Sequence, residues 1–146
     1  MNELLPPDHE AFGALHFIKA QNLEKRGDHA AALSEGALAI DIFSARPGLR
    51  LRAATVHETM AGIRLTLGSL QEALVEVQQA RAAFEAAFGP GAKSYYLGKT
   101  WLTEAKIDGR MGDLRGAQSA AEAGYQHFVA SVGETHPLTV EAKALR

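Results

Sequence analysis

The sequence predicts an all-α protein, an α-solenoid of three tandem helical hairpins followed by a short helix. Three observations carry this reading. Alanine is heavily used while Val, Ile and Thr are sparse, which favours helices over strands. Gly27, Gly68 and Gly112, 41 and 44 residues apart, each open a matching segment. Small residues recur in step around them, and the columns at 5, 9, 12 and 16 residues past each glycine, the last of them phenylalanine, fall on one helix face.

Taken in order, the columns define the elements. An alanine stands seven residues before each glycine (Ala20, Ala61, Ala105), and each glycine suits the left-handed turn that closes a helix. This predicts first helices near 8–26, 51–67 and 93–111. The residue after each glycine (Asp28, Ser69, Asp113) is placed to cap the next helix. Second helices follow near 30–45, 70–88 and 114–132. Their buried stripes read Ala32, Gly36, Ala39, Phe43, then Ala73, Val77, Ala80, Phe84, then Ala117, Ala121, Gly124, Phe128. Small residues let two helices approach and the phenylalanine plugs the end. Pro137 opens a seventh helix, over 137–146. The chain, 146 residues long, is then one domain with repeats near 8–48, 49–90 and 91–133.

Composition excludes several function classes. The absence of cysteine removes disulfides, thiolate nucleophiles and thiolate metal sites, and suits a reducing, cytoplasmic compartment. Met1 to Pro7 lacks signal-peptide character, and no run of about 18 apolar residues is present, so no membrane span is expected. A net charge of -2 argues against a nucleic-acid footprint.

The pattern of a small residue, seven residues to a turn glycine, five to an alanine and seven to another small residue resembles the tetratricopeptide repeat. The period of 41 to 44, with Phe84 to Pro90 and Gly133 to Thr139 (GETHPLT) between repeats, is similar to the kinesin light chain subtype. The resemblance covers residues 10–146 and implies a right-handed superhelix that binds protein or peptide on its concave face. The bulky column four residues before the first alanine departs from it, being His16, His57 and Trp101, and the two histidines read as core histidines. The asparagines with which that subtype grips a ligand backbone are absent, since only Asn2 and Asn22 occur. The lysine and asparagine pattern of chaperone-binding tetratricopeptide domains is not reproduced either.

First helices line the concave side of such a stack, so their side chains form the expected contact surface. Lys99, Lys106 and Arg110 are spaced 7 and 4 apart on one face of the fifth helix and could hold an acidic partner, with Tyr95, Tyr96 and Leu102 as apolar anchors. The alternatives are a solvated charged face and an internally packed tyrosine pair. Arg46, Arg50 and Arg52 form a second basic cluster in the first inter-repeat loop, where loop arginines are usually solvated. Gly98 Lys99 Thr100 matches only the end of a phosphate-binding loop, with Lys93 where its first glycine belongs. His57 Glu58 begins a zinc-protease motif, but Ala61 occupies the second ligand position, and no two of the six histidines are one helical turn apart. Glu72 and Glu76 read as helix-start and surface charges. No metal, cofactor or catalytic residue is therefore expected. Three functions stay open, in this order: a partner-binding adaptor, a sensor or oligomerisation module of a larger regulatory protein, and a small-molecule-binding or enzyme-like protein. An unfinished terminal helix leaves apolar surface, from which a homodimer is also expected.

Overall fold

A computed structural model describes residues 4–146, so Asn2 lies outside the described residues. Seven helices follow one another: α1 Glu10–Lys25, α2 His29–Ser44, α3 Arg50–Leu67, α4 Leu70–Phe88, α5 Tyr95–Met111, α6 Leu114–Val132 and α7 Pro137–Leu145, with a 3-10 turn at Pro47–Leu49 before α3. No strand occurs among the described residues. The first six helices begin and end within two residues of the expected limits.

Each hairpin closes in the same way. Gly27, Gly68 and Gly112 take φ of 82°, 80° and 86°, the left-handed region that a side chain disfavours. The amide of the next residue then reaches back five positions, Asp28 to Leu23, Ser69 to Arg64 and Asp113 to Asp108, each at 2.9 Å. The expected caps fail in two copies. Only Asp113 caps its helix, accepting from the Gly116 amide at 2.9 Å, whereas Asp28 and Ser69 make no side-chain cap bond. In copy three the carboxylate comes so close to the third residue that a Cβ on Gly116 would stand 2.3 Å from it, and copies one and two carry Ala31 and Glu72 there.

The odd-numbered helices form one continuous layer, α1 against α3, α3 against α5 and α5 against α7, while α2, α4 and α6 touch the odd layer but not each other. Neighbours pack closely on the odd side and splay on the even side, which makes the odd layer the concave one. The core runs along the hairpin seams. Phe43, Phe84 and Phe128 are each at most 2% exposed, and each adds about 1.5–3 kcal/mol by its burial. Close approach is secured by residues without a Cβ: one added at Gly13 would lie 2.6 Å from Phe43, and at Gly98 2.7 Å from Phe128.

Candidate functional site

Helix α5 presents its cations where the sequence places them, and each reaches a neighbouring odd-numbered helix. The Lys99 ammonium lies 3.2 Å from a Glu58 carboxylate oxygen on α3, to which the Thr103 hydroxyl also donates at 3.3 Å. Lys106 pairs with Glu141 of α7 at 2.5 Å, both side chains being 40% exposed. Arg110 donates to the Leu65 carbonyl near the end of α3. The three cations therefore share the surface spanned by α3, α5 and α7. Their anchors are placed differently. Leu102 is 3% exposed and packs on Phe128 and Ala142, so it belongs to the core. Tyr95 is half-buried, its ring 6.0 Å from both Phe128 and His136 and 5.8 Å from the Lys99 ammonium. Tyr96 is exposed and lies on Phe84 and Phe88.

Behind this surface, Arg81 of α4 is 8% exposed. Its guanidinium is stacked 3.4 Å from the centre of the Trp101 ring, donates to the Thr100 hydroxyl and carbonyl at 3.3 Å each, and pairs with Glu104. A buried cation held by a carboxylate, a ring and a carbonyl fixes α4 to α5 in one register. Desolvation, with the charges of Glu104 and Asp113, raises the Asp108 pKa against the pull of Arg81.

The two histidines of the bulky column are not core residues. His16 pairs with Glu35 at 2.5 Å and His57 pairs with Glu76, and all four side chains keep some exposure. Glu76 also lies 3.5 Å from Arg64, which corrects its reading as a solvated charge. Both pairs are 19 residues apart and link the helices of one hairpin. In copy three the column is Trp101 opposite Ala120, and the ring takes the space the pair would fill. The sequence signal was a second column eight residues past the glycine, Glu35 and Glu76, broken at Ala120.

The other candidates fall into place locally. Arg46 and Arg50 are exposed, and Arg52 lies 5.9 Å from the centre of the Phe43 ring, so the loop arginines do not converge. Thr100 is fully buried inside α5, and Gly98 Lys99 Thr100 is continuous helix rather than a loop. Between α4 and α6, on the convex side, a groove of about 730 Å³ is floored by Leu97 and Trp101 and edged by Glu85, Lys93, Gln126 and His127. His127 accepts from the Ser94 amide through Nδ1 at 3.2 Å, and burial, with Lys93 and Arg81, holds its pKa below the usual histidine range. A smaller groove of about 560 Å³ opens at the far end of α5, between α6 and the end of α7. Among the described residues no helix is long and apolar enough to cross a membrane, and no group of three His, Cys, Asp or Glu is placed to hold a metal ion.

Comparison with known proteins bears on the fold. No family model matches the chain, and no curated protein does. Among solved structures it is similar to BtubC (BKLC) from P. vanneervenii, with a TM-score of 0.79 and 19% identity over 98% of this chain. The match spans 57% of the BtubC chain. The chain is thus a tetratricopeptide-like helical solenoid.

Proposed function

We propose that this solenoid is a protein- or peptide-binding scaffold rather than a catalyst, that its repeats are of the long-period, kinesin light chain-like kind, and that its concave face takes an acidic segment. One observation carries the proposal: Lys99, Lys106 and Arg110 lie on the single surface shared by three odd-numbered helices. Their present partners can be exchanged. An ion pair between two side chains that are 40% exposed, such as Lys106 and Glu141, is worth no more than about 1 kcal/mol in water. A ligand carboxylate can therefore displace Glu141 at small cost, and Tyr96, three residues before Lys99, offers exposed aromatic area at the start of α5.

The experiment is binding of a fluorescent oligo-glutamate peptide to the full chain, followed by anisotropy at low salt. The expected result is saturable binding that weakens on the order of tenfold, about 1.4 kcal/mol, in the Lys106→Glu, Arg110→Glu double variant. Binding that is unchanged by the double variant overturns the acidic-ligand reading.

A second reading, as an oligomerisation module, draws on Met111, Leu114 and Leu145, which are 41%, 69% and 41% exposed at the C-terminal end of the stack. Sedimentation at several concentrations tests it. Self-association abolished by Leu114→Glu supports this reading, and a monomer at every concentration rejects it.

A further inference from the structure

The convex side of the stack carries a groove where copies one and two meet and another where copies two and three meet, and the two differ. The lining of the first, about 310 Å³ in volume, includes Ala53, His57, Gln79 and Ala83. Moved on by 44 residues these positions become Leu97, Trp101, Ala123 and His127, which line the groove of about 730 Å³ between α4 and α6. Alanine and histidine give way to leucine and the single tryptophan of the chain, so the floor becomes apolar and aromatic. The larger volume falls within the range of about 300–1,000 Å³ found for small-molecule sites.

Two polar groups of this groove have no counterpart in the other, where Leu49 and Ala83 stand in place of Lys93 and His127. His127 is 9% exposed, and its Nδ1 accepts from the Ser94 amide, so in the neutral ring the proton sits on Nε2. Burial, with the positive charges of Lys93 and Arg81, lowers its pKa and keeps the ring neutral at pH 7. Nε2–H makes no hydrogen bond among the described residues and is not sealed from solvent, so it is open to a ligand in the groove that the ring lines. Lys93 is exposed and, unlike Lys99 and Lys106, forms no ion pair among the described residues. Glu85 edges the groove from α4, yet the charges that act on His127 are those of Lys93 and Arg81. The His127 end of the groove is therefore electropositive.

We propose that this convex groove binds a small aromatic carboxylic acid, its ring against Trp101 and Leu97 and its carboxylate accepting from His127 Nε2–H beside the Lys93 ammonium. Walls of Ala82, Ala86 and Ala123 leave room for a flat ring, and an aromatic pair gains energy beyond its buried area. The site uses none of Lys99, Lys106 and Arg110 and goes beyond the concave-face reading.

The probes are 4-phenylbutyrate and its neutral control, 4-phenylbutyramide. Because Trp101 is the only tryptophan, its indole N–H resonance and its fluorescence report on the groove directly. The acid is expected to shift both saturably with a Kd on the order of 1 mM or tighter, and the amide to bind about tenfold more weakly or worse. The His127 ring resonances should move with the acid and stay in place with the amide. Lys93→Glu should weaken the acid about tenfold or more, and Ala86→Phe, which fills the groove, should abolish its binding. Both positions are exposed, so neither change unfolds the chain, and oligo-glutamate binding by Ala86→Phe should be unchanged. Equal binding of acid and amide, or no saturable shift up to about 10 mM, overturns the proposal. Unchanged affinity in both variants places the probe elsewhere and overturns it too. So does an acetylated glycyl-glycyl-phenylalanine that binds more than about tenfold tighter than the acid, because the occupant is then a peptide terminus.

Discussion

The junction between copies two and three and the junction after copy three are built from the same columns and finished differently. At the first, α5 buries Ile107 against Ala61, Ala73 and Val77 while Arg81 reaches from α4 to Thr100, Glu104 and Trp101. At the second, α7 packs Leu138 and Ala142 against Leu102 and Phe128, and Leu114 is 69% exposed. Equivalent columns thus pack differently at the two junctions, Ala73 being fully buried and Ala117 only half-buried.

The largest way to break this contrast is to unlock the first junction. Arg81→Met leaves Glu104 partly buried without its cation and is expected to cost about 3–5 kcal/mol, read as a shift in the urea midpoint. If the loss is under about 1 kcal/mol, the guanidinium does not hold the junction. Next, Ile107→Ala removes a fully buried side chain packed on Ala61, Ala73 and Val77 and should cost about 2–5 kcal/mol. Leu145→Ala, in the groove at the far end of α5, should stay within about 0.5 kcal/mol because that side chain is 41% exposed.

Two glycines of α5 sharpen the comparison with opposite signs. Gly98→Ala places a Cβ 2.7 Å from the buried Phe128 ring, and overpacking of this kind costs about 1–3 kcal/mol. Gly109→Ala meets only the Ala117 Cβ at 3.9 Å, in the open groove, and should stabilise by about 0.5–1 kcal/mol through helix propensity. Thermal melts of the two single variants give the signs directly.

The smallest effect is the pH dependence carried by His127, beside the first junction. Its folded pKa is lowered by burial, so the unfolded chain binds the proton more readily. Its contribution is present above the unfolded pKa and lost as pH falls below about 6.5. His127→Gln should flatten the stability profile between pH 7.5 and 5 relative to the unmodified chain. An identical slope in the two proteins would remove this group from the account.

Much of the fold was legible because the signals repeat. Three turn glycines, three alanine columns and three plugging phenylalanines reinforce one another, and the helices follow to within two residues. What happens once does not form a column. The Arg81 knot has Ile40 and Tyr125 at the equivalent positions, so nothing marked it, and the Asp113 cap depends on the lone Gly116. The His16 and His57 column was visible, but its carboxylate partners lie 19 residues away on another helix, a separation that helical periodicity does not connect. At the candidate site, spacing placed the three α5 cations on one surface but could not show that Leu102, on the same side as Tyr95, is covered by Phe128 and Ala142 and so belongs to the core.

Native-state hydrogen exchange, resolved by residue, tests the difference between the two junctions most directly. The account predicts that amides in the second half of α5 exchange only through global unfolding, while those of α7 and the second turn of α6 exchange through local opening at several kcal/mol less. Equal protection of α5, α7 and that part of α6 would contradict it, since the two junctions would then be equally closed.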